Sequence, residues 1–319
     1  VPDAILVTRK PPGAAIERLR DGGDVWVWPH DREIDHDVLT RRVVDADGLY
    51  CMLTDRIDEG LLAAAPRLRV VSTMAVGVDN IDLAACRRRG IAVGHTPDVL
   101  TDSTADMAWA LLMAASRRLV EGVGYVKEGS WHRWEPTALL GLDVSHSTLG
   151  IIGMGRVGRA IARRSQGFDM QVIYTSRSQA ADIEEELGVE RVPLDDLLAR
   201  SDHIVVCLPL DSDTRGLIDA AAFARMKPTV TLVNIARGPI VDTDALYNAL
   251  VSGQIRGAGL DVTDPEPIPP DHPLMALANC TIVPHVGSAT ERTRIAMADL
   301  AADNLTTGLA GEPMPARIV

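Results

Sequence analysis

Leu149-Gly150-Ile151-Ile152-Gly153-Met154-Gly155-Arg156-Val157-Gly158 decides how this 319-residue chain is read. An apolar strand runs into Gly-x-Gly-x-x-Gly, and a helical stretch opens at Arg156. Glycines at 153 and 155 let the backbone turn tightly and approach a pyrophosphate, while Gly158 lets helix and strand pack closely. The start of the helix, with Arg156 and Val157, offers N–H donors and positive potential to an anion. Dinucleotide binding is the expectation; a purely structural glycine turn is the plainer alternative.

Working outward, Thr148 begins a series of short apolar strands alternating with helices: STLGIIG, MQVIYT, HIVVCLP, VTLVNIA, RGAGLDV and CTIVPHV. Strand starts recur about every 20 to 30 residues, the spacing of βαβ units. An earlier series, AILVT, DVWVW, DGLYCML and RVVST, has the same rhythm and fades near His95-Thr96-Pro97. Strands apolar at nearly every position predict parallel sheets covered by helices on both faces. Between the series, Thr101 to Val120 reads as one long helix with a small-residue face, and a last helical stretch runs from Ala289 to Leu309. The fold class is therefore α/β, with two Rossmann-like, doubly wound parallel-sheet domains.

Apolar residues make up 46% and charged residues 24%, a globular composition without low-complexity excess. Lys and Arg number 32 against 44 Asp and Glu, a net charge of −12, which argues against nucleic acid or an anionic membrane as partner. An anionic substrate then needs specific Arg or backbone N–H donors. Cys51, Cys86, Cys207 and Cys280 form no CxxC pair, so no metal site is expected. The first residues hold only a strand-length apolar run, too short for a secretory or membrane segment, and the cytoplasm is the expected setting.

In an NAD site an acidic residue at the end of the second strand accepts hydrogen bonds from the ribose. Here that strand ends in Ser176-Arg177-Ser178, and Asp169 lies at its wrong end. A guanidinium flanked by hydroxyls suits a 2′-phosphate, so NADP(H) is the preferred cofactor, with NAD(H) possible. Three polar residues follow later strands: Arg237 after VTLV, Glu266 after GLDV and His285 after CTIV. Open parallel sheets bind ligands at such strand ends.

Taken in this order, with VGVDNIDL (76–83), TPDVLTDSTAD (96–106), GLDVTDPEP (259–267), HVGSATERTR (285–294) and GEPMP (311–315), these features resemble the D-isomer-specific 2-hydroxyacid dehydrogenase family over nearly the whole chain. Within it, the motifs look most like glyoxylate and hydroxypyruvate reductases. The resemblance implies a discontinuous substrate domain: residues 1–97, then an NAD(P)-binding domain over 98–290, then a helix in 291–319 that returns to the first domain. It implies an active site in the cleft between them.

By the same resemblance, His285 is the general acid, Glu266 orients it and keeps it a proton donor near neutral pH, and Arg237 bridges the substrate's carboxylate and carbonyl oxygen. The backbone N–H groups of Val76 and Gly77 hold the other carboxylate oxygen. Leu53, Trp134 and Ser288 complete the substrate pocket, and Trp134 reaches it from a neighbouring subunit of a homodimer. Leu208, Pro209, Ile235, Ala236, Asp261 and Gly287 join the cofactor set. The implied reaction is NADPH-dependent reduction of a small 2-oxoacid. A dinucleotide-sensing corepressor of the same fold, or a dehydrogenase of another 2-hydroxyacid, are the alternatives.

Overall fold

The computed structural model describes residues 2–319. They form two compact units, one taking the chain up to Leu100 and again Ala289–Val319, the other Thr101–Ser288. The sequence reading put these crossings at 97/98 and 290/291.

The first unit runs β1 (Asp3–Val7), α1 (Ala15–Gly22), β2 (Gly23–Val27), α2 (His36–Arg42), β3 (Gly48–Cys51), α3 (Glu59–Ala63), β4 (Val70–Thr73), α4 (Leu83–Arg89) and β5 (Ala92–Gly94). Its strands are parallel, in the order β2-β1-β3-β4-β5. Asp35, Asp58 and Asp82 start α2, α3 and α4 by accepting N–H groups of the first turn, which satisfies donors a helix cannot pair internally. Both faces of the sheet are buried. Leu49 and Cys51 of β3 enter one core cluster and Tyr50 between them enters the other. The helix Glu291–Leu309 packs on that second face, where Tyr50 donates to the Ala298 carbonyl at 3.3 Å and Ser72 to that of Ala301 at 2.7 Å. Past this helix the chain pairs antiparallel with β5: the Val93 N–H donates to the Val319 carbonyl at 3.1 Å and the Val93 carbonyl accepts the Ile318 N–H at 2.8 Å, so residues 316–319 cover the free edge of β5.

The second unit runs α5 (Thr101–Ser116), α6 (Leu119–Lys127), β6 (Thr148–Ile152), α7 (Arg156–Ser165), β7 (Gln171–Thr175), α8 (Ala181–Leu187), β8 (Glu190–Arg191), α9 (Leu194–Arg200), β9 (His203–Val206), α10 (Ala220–Arg225), β10 (Thr231–Asn234), α11 (Thr243–Val251), β11 (Gly257–Leu260) and β12 (Cys280–Ile282). The seven strands are parallel in the order β12-β11-β10-β9-β6-β7-β8. The order reverses at β6, whose neighbours are β7 and β9, so the crevice for a ligand opens beyond the carboxyl ends of β6 and β9.

One expectation needs correcting. The helix read over Thr101–Val120 ends at Ser116, because Arg118 adopts a left-handed conformation (φ +54) and turns its guanidinium onto Glu121. Part of the small-residue face of α5 is core, while Ala110 is exposed and Ala114 and Ala115 are half-buried. Ala105, Ala108, Leu111 and Leu112 are buried, and a Cβ placed on Gly259 of β11 would lie 2.9 Å from Leu111. Strands β5 and β8 and helix α4 were not anticipated; they are short, and β8 has two exposed charged residues with no apolar signal.

Candidate active site

The glycine turn lies where the strand order reverses. Gly153 has φ +105, and a Cβ on it would lie 2.8 Å from the Cys207 carbonyl. A Cβ on Gly158 would fall 2.1 Å from the Gly153 carbonyl, so both glycines are demanded by the chain's own packing. Cys207 seals this contact by donating its thiol to the Gly153 carbonyl at 2.9 Å, and burial pushes that thiol up to about 12, which keeps it protonated and unreactive. Gly155 is different. Its backbone is extended (φ −78, ψ −162), as any residue could adopt, and a Cβ there meets nothing within 4 Å. The empty space beside it fits a pyrophosphate drawn close to the backbone. It caps α7, a ten-residue helix with no side-chain cap and no acid in its first turn, so the N–H donors of Val157 and Gly158 are left for an anion.

Ser176, Arg177 and Ser178 follow β7. Arg177 extends to within 3.5 Å of Asp211, its side chain 81% exposed. Arg191 of β8, which sequence reasoning missed, donates to the carbonyls of Ser176 (2.8 Å) and Arg177 (3.1 Å), placing a second guanidinium at the end of β7. Only the Tyr174–Arg191 pairing of β7 with β8 brings it there. Leu208 and Pro209 follow β9; a Cβ on Gly153 would lie 2.9 Å from Leu208.

Arg237, Glu266 and His285 stand beyond β10, β11 and β12. His285 Nδ1 lies 2.6 Å from Glu266 Oε1. Burial would raise the Glu266 carboxyl, but the hydrogen bond and charge of His285, the Thr263 N–H and the charge of Arg237 outweigh it and hold the group below the ordinary carboxylate range. His285 is itself left-handed (φ +52), a conformation that costs a non-glycine residue energy and must be imposed by its surroundings. Asp261 imposes it. Its carbonyl accepts the His285 N–H at 2.8 Å, and its carboxylate accepts those of Val286 (2.6 Å) and Gly287 (2.9 Å). Gly287 has no room for a Cβ, which would sit 2.8 Å from Asp261 Oδ2. Burial dominates over these N–H bonds and raises the Asp261 carboxyl above its usual value.

The Arg237 turn is fixed by Asn234, which is almost fully buried at the end of β10. Asn234 Oδ1 accepts the Ala236 N–H at 3.0 Å and Nδ2 donates to the Arg237 carbonyl at 2.9 Å. On the far side a Cβ on Gly238 would fall 1.9 Å from the Thr263 carbonyl, so the turn carrying Arg237 presses against the loop carrying Glu266. Ile235 and Ala236 lie within this turn, and Ser288 follows Gly287. Trp134 is 80% exposed in the connection after α6.

Chain similarity bears on this arrangement. The D-isomer specific 2-hydroxyacid dehydrogenase NAD-binding domain matches residues 109–287. The chain belongs to the D-isomer-specific 2-hydroxyacid dehydrogenase family. A glyoxylate reductase/hydroxypyruvate reductase of Homo sapiens is 47% identical over 318 residues, 98% of this chain and 97% of that protein. A glyoxylate reductase of Thermococcus onnurineus is 47% identical over 315 residues, 98% of this chain and 94% of its own length. A crystal structure of a Thermus thermophilus protein superposes with a TM-score of 0.93 at 45% identity, covering 99% of this chain and all of that one. That of an NADPH-dependent glyoxylate/hydroxypyruvate reductase from Sinorhizobium meliloti, with NADP and malonate, gives 0.90 at 32%, covering 100% of this chain and 97% of that one.

Membership makes the protein an oxidoreductase that binds a nicotinamide dinucleotide and acts on a small molecule. Among the described residues no three His, Cys, Asp or Glu side chains gather as metal ligands, and no helix is long and apolar enough to cross a membrane. In the first unit Leu53 follows β3 and Val76 and Gly77 follow β4, again at strand carboxyl ends.

Proposed function

We propose that the protein reduces glyoxylate, hydroxypyruvate or a 2-oxoacid of that size to the 2-hydroxyacid, preferring NADPH. The observation that carries this reading is the 2.6 Å His285–Glu266 pair beside Arg237, in a chain 47% identical to proteins with that activity. The bound dinucleotide supplies the hydride that adds to the substrate's carbonyl carbon. Glu266 holds the Nδ1 side of the imidazole, which leaves Nε2 of His285 to deliver the proton to the carbonyl oxygen. Arg237 binds the carboxylate and stabilises charge gathering on that oxygen as its bond order falls. The Val76 and Gly77 N–H groups take the other carboxylate oxygen, Leu53 limits substrate size, and Ser288 adds a hydroxyl to the pocket. The first unit thus supplies substrate-binding loops and the second binds the cofactor.

The preference for NADPH rests on Arg177 and on Arg191 behind it, in a position where no carboxylate follows β7. A homodimer is supported by α6, a nine-residue helix with no buried side chain that exposes Leu119, Val120, Val123 and Val126, followed by exposed Trp131 and Trp134. Trp134 then reaches the partner's pocket. Four free thiols agree with a cytoplasmic setting.

The test follows NADPH and NADH absorbance with glyoxylate and hydroxypyruvate, for wild type and His285→Ala. Turnover that His285→Ala loses by at least about a hundredfold supports the reading. No turnover of any small 2-oxoacid overturns it, and equal kcat/KM with both cofactors overturns the NADPH preference.

A further inference from the structure

Within the first unit, the loop after β4 is held from β5 in an unusual way. The Thr96 N–H donates to the Ala75 carbonyl at 2.8 Å, and Nδ1 of His95 lies 3.0 Å from the Val76 carbonyl, which obliges that nitrogen to be the donor. These are the carbonyls of two successive peptide groups, Ala75–Val76 and Val76–Gly77. The other ends of the same two peptide groups are the N–H groups of Val76 and Gly77, which have no protein acceptor among the described residues. Val76 is exposed and Gly77 half-buried, so both can meet a ligand.

His95 is fixed before any ligand arrives. Its N–H donates to the Ala316 carbonyl at 3.1 Å, and its carbonyl accepts from the buried Asn304 side chain at 2.8 Å. Gly94 before it packs on Asn304, where a Cβ would lie 2.7 Å from Asn304 Cβ. The loop's far end is also tied. Asn80 donates to the carbonyls of Met52 (3.1 Å) and Asp55 (2.7 Å), while the buried Asp55 carboxylate accepts from Thr8 and from the Met52 N–H.

We propose that His95 is a positioning residue for substrate binding: its imidazole N–H orients and polarises the Val76–Gly77 peptide so that the Gly77 N–H is a stronger donor to the substrate carboxylate. A hydrogen bond accepted at an amide carbonyl strengthens donation from the same amide's N–H, and fixing the peptide plane removes reorganisation on binding. The inference rests on the proposed role of the Val76 and Gly77 N–H groups. It accounts for a polar side chain spent on a backbone carbonyl at a loop with free donors.

The experiment compares wild type, His95→Leu and His95→Asn with glyoxylate and with its uncharged methyl ester. Asn places an amide nitrogen near the Nδ1 position and can keep the bond; Leu cannot. Expected for His95→Leu is a KM for glyoxylate raised about three- to tenfold, the worth of one ordinary hydrogen bond. Its kcat, its Kd for NADPH and its KM for the ester should be unchanged, and His95→Asn should restore the glyoxylate KM. An unchanged KM in His95→Leu, or equal loss in Leu and Asn, overturns the role of His95. A wild type that takes glyoxylate and the ester with the same KM instead overturns carboxylate binding by the loop, and the proposal with it. Thermal melting checks that each variant folds, with His95→Ala replacing Leu if it does not.

Discussion

Two glycines three residues apart should fail in opposite ways when each gains a methyl group. Gly158→Ala puts a Cβ 2.1 Å from the Gly153 carbonyl, so strand and helix must part by roughly 1 Å at a contact made of backbone on both sides. Overpacking of this kind costs about 1 to 3 kcal/mol. For a unit of this size that lowers Tm by about 3 to 10 °C. Gly155→Ala meets nothing within 4 Å and keeps an allowed conformation. Its small loss as a helix cap is offset by the lower entropy of the unfolded chain, so stability should stay within about 0.5 kcal/mol of wild type. The new methyl instead occupies the space through which a pyrophosphate approaches the backbone. Dinucleotide affinity should fall by about tenfold or more, equivalent to about 1.4 kcal/mol. Melting without cofactor and NADPH fluorescence titration measure the two effects separately. Gly155→Ala binding NADPH as tightly as wild type would refute the reasoning from open space, and an unshifted Tm for Gly158→Ala would refute the packing argument.

Other outcomes follow from the same geometry. Glu266→Gln should lower kcat by about tenfold or more while leaving NADPH affinity unchanged, since the carboxylate acts on His285; comparison of kcat with cofactor Kd decides it. Gly238→Ala should lower Tm by at least as much as Gly158→Ala and, in the protein that remains folded, also lower kcat/KM, because a Cβ 1.9 Å from the Thr263 carbonyl drives the Arg237 and Glu266 turns apart; melting and steady-state kinetics check the two. His203 is almost fully buried, its Nε2 3.3 Å from the Asp143 carbonyl, and burial depresses its pKa from 6.5, outweighing Asp143 and Asp202, which raise it. The unfolded chain therefore takes up a proton that the native state refuses. The stability is fully present above about pH 6.5 and is lost as pH falls towards the folded pKa. Tm measured between pH 8 and 5 should decline from there, and His203→Gln should flatten the decline.

Much of the second unit was readable because its signals are local. A strand that must be apolar, a turn that must be glycine and a helix that must begin on open donors are satisfied by neighbouring residues. Arg237, Glu266 and His285 could be singled out because each follows such a strand. Arg118 was not legible: nothing in Ser116-Arg117-Arg118-Leu119 marks a break, and the left-handed turn is one that only packing and the Glu121 contact settle. Arg191, 14 residues past Arg177, reaches the end of β7 only through strand pairing.

By itself the sequence determined the alternation of strand and helix, the glycine turn and the residue types available for carbonyl reduction, since propensity, periodicity and side-chain chemistry are properties of short segments. Tertiary structure decided which groups meet. Asp261 twists His285 into a left-handed conformation, Asn234 clamps the Arg237 turn, and His95 faces the carbonyl of Val76 across β4 and β5. The Asn234 bonds close a turn over 2 to 3 positions, whereas the His95 and Asp261 side-chain contacts join residues 19 to 26 positions apart and exist only once parallel strands align their carboxyl ends.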